Sequence, residues 1–214
     1  MLGVISIENS PINSVCHLLF DELSRRCVII DPGSEEPSEI DEVIVCHDFH
    51  LEYIVLTHEH FDHVWGCNYF INKYKCPIIC SPYCAEAIVT PKKNLSVFYN
   101  PEKAFSIQPI SLIIIERDMD MEWSGHKIGF KLAGGHSSGG ILMIANKYIF
   151  TGDTLVKDLK TVTKLKNGSR DKLKESISYL RNLQGEGYTI YPGHGENFSL
   201  DTYNLDIALY GPRK

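Results

Sequence analysis

Residues 57–66 read Thr-His-Glu-His-Phe-Asp-His-Val-Trp-Gly, so three of the chain's nine histidines and two carboxylates fall between His58 and His63. Imidazoles and carboxylates crowded this way cost free energy unless something positive lies between them. The spacing is not that of a His-Glu-x-x-His helix, because Asp62 stands four residues after His58 where that motif needs histidine. His58 and His60, two apart, suit an extended segment with both side chains on one side. Asp62 and His63 are adjacent and point apart in a strand. A strand that ends here and turns into a helix would aim the first pair at one point and the second at another nearby. That pattern favours two metal centres side by side.

Three further residues of ligand type stand alone at predicted strand ends. His136 lies in Ala-Gly-Gly-His-Ser-Ser-Gly-Gly, Asp153 in Phe-Thr-Gly-Asp-Thr and His194 in Tyr-Pro-Gly-His-Gly. The glycines beside them permit tight turns and close backbone approach. Side chains at strand ends can converge on one rim although far apart in sequence.

The elements that must carry these residues are legible as short apolar runs between turn signals. Strands are predicted at 2–7, 15–20 and 27–31, the last closing at Pro32-Gly33. A helix follows over 39–50 with Ile40, Val43, Ile44 and His47 on one face. The buried run 53–56 leads straight into the histidine cluster, a helix is predicted over 62–74, and 76–80 reads as a strand. In the second half, strands are predicted at 111–116, 127–132, 140–145, 147–151 and 188–191. The helix over 171–183 has an apolar stripe of Leu173, Ile177 and Leu180. Strands followed by helices, twice over, predict an α+β chain with two sheets packed face to face and helices outside, folded as one domain over 1–214.

Composition narrows the partners. At 43% hydrophobic and 22% charged residues, the chain reads as an ordinary globular protein. No apolar run approaches the roughly 18 residues of a membrane span, and the first twenty residues do not read as a signal peptide. Neither a membrane nor nucleic acid is expected as a partner, the latter because the net charge is -6. Seven cysteines without a disulfide-framework spacing point to the cytoplasm. A small-molecule substrate is the partner expected.

The series His58-Glu59-His60-Phe61-Asp62-His63, His136, Asp153 and His194, with Asp31 closing an early strand, resembles the motif series of the metallo-β-lactamase superfamily in type, order and approximate spacing. The resemblance runs from about Asn13 to His194 and implies a four-layer αββα sandwich. It implies that His58, His60 and His136 hold one divalent metal, that Asp62, His63 and His194 hold a second, and that Asp153 bridges them. Zinc is the first expectation, although the same ligands suit iron or manganese. A binuclear site of this kind supplies a nucleophile at neutral pH and implies hydrolysis of an ester-like bond, with Asp62 also a catalytic candidate.

Within the superfamily, Thr-Gly-Asp-Thr around Asp153 and Pro-Gly-His-Gly around His194 look most like the glyoxalase II-like branch, whose substrates are thioesters. A thiolate leaves without a dedicated general acid, and none stands out in the sequence. Lys214 closes the sequence twenty residues after His194, and Arg213 and Lys214 are the only basic residues of that stretch. The glutathione-binding tail of that branch therefore has no counterpart here, and the expectation is a small thioester. One alternative is a persulfide dioxygenase, with a single iron held at positions matching His58, His136 and Asp153. A second is a metal-binding protein without turnover, whose signature would be a missing ligand; every position is filled.

Other residues carry blander expectations. Asp31 reads either as a hydrogen-bond partner of a ligand or as a turn residue. Cys76, Cys80 and Cys84 read as small buried hydrophobes. Cys46, His47 and His50 lie near a predicted helix end, and His17 and His126 read as ordinary histidines. Phe61, Trp65 and Tyr69 read as helix core that could line a pocket. Residues 154–170 read as a solvated basic loop whose Lys157, Lys160 and Lys164 could meet an anionic substrate.

Overall fold

A computed structural model describes residues 1–212; Arg213 and Lys214 lie outside the described residues. The chain forms two compact units, Met1–Ile114 and the part from Ile115 onward.

The first unit is built on one mixed sheet. Strands β1 (Leu2–Glu8), β2 (Val15–Asp21) and β3 (Arg26–Ile30) are antiparallel neighbours. Helix α1 (Ser38–Cys46) then carries the chain over to β4 (His50–Val55), which pairs parallel with β3. A parallel neighbour needs such a crossover. Helices α2 (Phe61–Val64) and α3 (Cys67–Tyr74) lead to β5 (Ile78–Cys80). Helices α4 (Pro82–Ile88) and α5 (Ser96–Tyr99) lead to β6 (Leu112–Ile114), and the sheet order is β1-β2-β3-β4-β5-β6. Leu18, Ile29, Ile54 and Ile78 are register partners across β2 to β5, all without solvent exposure. They form one core with Ile40 and Ile44 of α1 and Phe70 and Ile71 of α3. Burying side chains of this size contributes about 1.5–3 kcal/mol each.

Here the structure corrects several sequence expectations. The helix predicted over 39–50 stops at Cys46. Asp48 adopts a left-handed φ of 53°. The Phe49 N–H donates to the Ile44 carbonyl (2.9 Å) and the Asp48 N–H to that of Val45 (3.1 Å), a Schellman closure without its usual glycine. The helix predicted over 62–74 is two, broken at Trp65-Gly66, where the Gly66 N–H donates to the Pro32 carbonyl at 2.8 Å. A side chain on Gly66 would meet the carbonyl oxygens of Pro32 and Ser34 at 3.0 and 3.1 Å, so the chain needs glycine to pass there. The run 111–116 does not open the second half. Its core, β6, is the edge strand of the first sheet, parallel to β5.

The second unit is a mixed sheet in the order β12-β11-β10-β9-β8-β7. Its strands are β7 (Met119–Trp123), β8 (His126–Leu132), β9 (Ile141–Ala145), β10 (Tyr148–Gly152), β11 (Thr189–Pro192) and β12 (Phe198–Ser199). Helix α6 (Arg170–Asn182) connects β10 to its parallel neighbour β11, and α7 (Asp206–Tyr210) follows β12. Strands β7 and β12 and helix α7 are not among the elements predicted from the sequence. The predicted stripe of α6 is buried: Leu173, Ile177 and Leu180 pack with Leu142, Ile149 and Ile190 of the sheet and Ala208 of α7. Among the described residues, no helix is long and apolar enough to cross a membrane.

Candidate metal centre

In the first unit the histidine cluster occupies the loop that follows β4 and the first turn of α2. His58 and His60 therefore lie in a loop and not in the extended strand their spacing suggested, and His60 is the N-cap residue of α2. Asp31, with φ 53° just beyond β3, organises this loop. Its Oδ1 accepts the Thr57 N–H (2.8 Å), and its Oδ2 accepts the Thr57 hydroxyl (2.5 Å) and lies 3.0 Å from His63 Nδ1. A carboxylate only accepts, so His63 Nδ1 carries the proton and Nε2 the lone pair. The Thr57 hydroxyl, its proton directed at Asp31, accepts from His58 Nδ1 at 3.1 Å, which leaves the lone pair of His58 also on Nε2. Asp31 is thus a positioning residue of the carboxylate–histidine kind found behind metal ligands, not a plain turn residue.

The result is a dense set of nitrogen donors. His58 Nε2 and His60 Nδ1 stand 3.1 Å apart. Two ligands about 2.1 Å from one tetrahedral ion would be separated by about 3.4 Å. The His58 and His63 ring centroids are 4.2 Å apart, and ligand atoms of Asp31, His58 and His63 lie within 4.8 Å of one another. His58, His60 and His63 are all buried, and Asp62 Oδ2 lies 3.7 Å from His63 Nε2. A donor set of imidazoles and carboxylates, two of its rings held with Nε2 as the lone-pair atom, fits a borderline divalent cation.

Backbone packing holds Asp62 in place. A Cβ on Gly33 would sit 1.6 Å from the Asp62 carbonyl oxygen, so only glycine allows these two segments to touch. That carbonyl accepts the Ser14 hydroxyl. Asn9 binds the Asp31 carbonyl (3.2 Å), the Gly33 N–H (3.1 Å) and the Ser34 hydroxyl (3.0 Å). Asn9, Ser14 and Thr57 carry no local sequence signal of this role, their partners lying 22, 48 and 26 residues away; only the Asp-Pro-Gly turn marks the frame.

In the second unit three strand-end loops meet. His136 lies between β8 and β9, Asp153 follows β10, and His194 follows β11. Asp153 Oδ2 is 3.5 Å from His136 Nε2, and Asp153 Oδ1 is 3.6 Å from His194 Nε2. One carboxylate thus turns an oxygen toward each histidine. His136 Nδ1 donates to the Val162 carbonyl at 2.9 Å, which again leaves Nε2 as the lone-pair atom. Helix α6 packs on the adjoining backbone: a Cβ on Gly135 would fall 2.7 Å from Leu173 Cα, and the Gly135 carbonyl accepts the Ser169 N–H at 2.8 Å. The loops of Asp153 and His194 are tied by the Gly193 N–H, which donates to Gly152 at 2.9 Å.

Cys76, Cys80 and Cys84 are buried core residues. Burial pushes the Cys76 thiol up to about 11 and the Cys84 thiol well above its ordinary value. His47 stacks on Phe49 with its Nδ1 2.9 Å from the Val43 carbonyl, and His17 Nδ1 lies 2.8 Å from the Ser6 hydroxyl. Among the described residues, no cluster of potential ligand atoms includes Cys46, His47 or His50. Phe61 stacks on Tyr99 (4.8 Å) and Trp65 on Phe105 (5.3 Å), whereas Tyr69 instead donates to Asp41. The segment 154–170 is more than the solvated loop expected. Leu155 and Thr161 are buried, and the Thr161 N–H donates to the Ala208 carbonyl at 2.9 Å.

A family model described as the metallo-beta-lactamase superfamily matches residues 11–194. The chain is 26% identical over 196 residues to Rv2581c, an uncharacterized protein of Mycobacterium tuberculosis, covering 86% of this chain and 87% of that one. It is 23% identical over 179 residues to PksB of Bacillus subtilis, named a probable polyketide biosynthesis zinc-dependent hydrolase, covering 84% and 72%. The crystal structure of the BLEG-1 B3 metallo-beta-lactamase superposes with a TM-score of 0.85 at 20% identity, over 98% of this chain and 100% of that one. That likeness shows the fold, the α+β sandwich of two mixed sheets expected from the sequence.

Proposed function

Because the chain belongs to the metallo-β-lactamase superfamily, we propose that it is a metal-dependent hydrolase with a binuclear centre, acting on an ester-like bond of a small thioester. The family pattern assigns His58, His60 and His136 to one ion, Asp62, His63 and His194 to the other, and Asp153 to both. The observation that carries the binuclear reading is the Asp153 carboxylate, with one oxygen toward His136 and the other toward His194. The Asp31–His63 pair supports it as well, since a single-iron dioxygenase held by His58, His136 and Asp153 would give that oriented imidazole no ion to bind.

The ions, zinc in the first place and iron or manganese as alternatives, would supply Lewis acidity toward a carbonyl oxygen and a water of lowered pKa. The chain's own residues do the positioning. Asp31 and Thr57 set the tautomers of His63 and His58, and the Val162 carbonyl sets that of His136. Asp62, its backbone held by Gly33 and Ser14, is the carboxylate assigned to orient the attacking water. A thiolate leaving group needs no proton from the protein, which suits a thioester. All seven cysteines are free thiols, in keeping with the cytoplasm.

The test is metal content per chain by mass spectrometry on protein purified without added metal, followed by a thioester panel. About two ions per chain together with thioester turnover is the expected result. One iron per chain with oxygen consumption on a persulfide would overturn it.

A further inference from the structure

The second unit holds two cavities of ligand size that none of His136, Asp153 and His194 lines. The larger, of about 510 Å³, is self-neutralised. Its Lys127 pairs with Asp120 at 2.7 Å, and its Lys131 pairs with Asp118 at 2.6 Å. The smaller, of about 360 Å³, falls within the range of about 300–1,000 Å³ usual for small-molecule sites. It is lined by Lys160, Lys164 and Arg170 on its polar side and by Val162, Leu173 and Leu209 on its apolar side. No carboxylate lines it. Among the described residues, neither Lys160 nor Lys164 has an acidic partner, whereas Arg170 lies over the Tyr210 ring at 5.6 Å and beside the Asp171 carboxylate, which Lys174 also holds at 2.8 Å. Lys160, Lys164 and Arg170 are exposed at the rim of this concavity and give it a positive charge that the chain as a whole, at net -6, does not have. The cavity also lies at the start of the 13-residue helix α6, whose first turn carries Asp171 as well as Arg170.

We propose that this cavity is a binding site for a small organic anion with an aliphatic portion. The head group, a carboxylate or a phosphate, meets Lys160, Lys164 and Arg170, and the aliphatic portion lies against Val162, Leu173 and Leu209. The paired charges of the larger cavity leave no such preference there. None of the proposed metal ligands lines the cavity, although the Val162 carbonyl accepts from His136; occupancy of the cavity is read by heat of binding and not by turnover, so its failure is distinguishable from that of the hydrolase reading.

The experiment is a calorimetric titration of the full chain with sodium octanoate, with inorganic phosphate and butylammonium as comparison probes. Saturable octanoate binding is expected, with affinity falling about tenfold when Lys160→Ala and Lys164→Ala are combined, as for loss of charge-assisted contacts. Arg170→Ala, at a different point of the lining, is expected to weaken binding in the same direction. An unchanged melting temperature establishes that the variants are folded. Absence of saturation up to about 20 mM octanoate would overturn the proposal, as would equal affinity in the double variant. Phosphate binding as tightly as octanoate would also overturn it, because the apolar side would then contribute nothing.

Discussion

Replacing Asp31 by Asn is the most informative single perturbation, because it changes the charge and donor pattern at nearly constant volume. Asp31 is 1% exposed and accepts three hydrogen bonds, two from Thr57 and one from His63. The amide oxygen can keep the Thr57 N–H. The amide NH₂ would then face the Thr57 hydroxyl and His63 Nδ1, both of which are donors in the native arrangement. Two charge-assisted bonds are lost, each worth about 1.5–3 kcal/mol. Rotation of the hydroxyl and a tautomer switch at His63 recover part of this, so the net loss is about 2–4 kcal/mol. The tautomer switch moves the proton of His63 onto Nε2, the atom assigned to the metal. Metal affinity should therefore fall about 10–100-fold. Urea denaturation of metal-free protein reads the first quantity, and competition with a chromophoric chelator reads the second. An Asp31→Asn protein within about 0.5 kcal/mol of wild type, with unchanged metal affinity, would refute the relay from Asp31 through Thr57 to the histidines.

Asp153→Asn should keep its fold, measured by circular dichroism, while losing one of two bound ions and most hydrolytic activity; wild-type rates would end the bridging assignment. Gly33→Ala should destabilise the chain by about 3 kcal/mol, because the new methyl meets the Asp62 carbonyl and no flexible side chain can yield; calorimetric melting reads this. Stability should also decline at alkaline pH. Burial pushes the Cys76 thiol up to about 11 and the Cys27 thiol up to about 12, against an ordinary value of 9.0. Above pH 9 the unfolded chain then releases protons that the folded chain retains, so unfolding becomes easier by up to about 1.4 kcal/mol per pH unit for each such thiol. Denaturation midpoints that stay level from pH 8 to about 10.5 would contradict this burial effect.

Much of the scaffold was legible because burial repeats a local pattern. The strands β2, β3 and β4 each contain a short apolar run, and α6 shows its stripe of Leu173, Ile177 and Leu180. Each ligand-type residue announced itself by following a strand. What escaped lacks a local signature. The end of α1 was hidden because Asp48, not glycine, takes the left-handed position. The placement of β6 beside β5 is a parallel pairing across two helices, which no short period encodes. Strand β7 is the exception: Met-Asp-Met-Glu-Trp carries a strand's period-two alternation, over only five residues and with Met119 exposed, and escaped all the same. Asn9 and Ser14 serve partners 22 and 48 residues away, so nothing near them in sequence marks their role.

The hydrogen bond from His136 ends on a main-chain oxygen, that of Val162, and this has a consequence for how the chain can vary. Every residue type supplies a carbonyl, so no substitution at position 162 deletes the acceptor, short of one that redirects the backbone. The orientation of the imidazole is encoded in the path of the segment between Asp153 and Ser169, which the Thr161 N–H and its hydroxyl pin at 2.9 and 3.1 Å to Ala208 and Thr154. The exposed side chains of that segment, those facing the cavity included, can therefore be rewritten while Thr161 and the buried Leu155 are kept and the histidine keeps its aim. A single insertion or deletion within it would turn the ring.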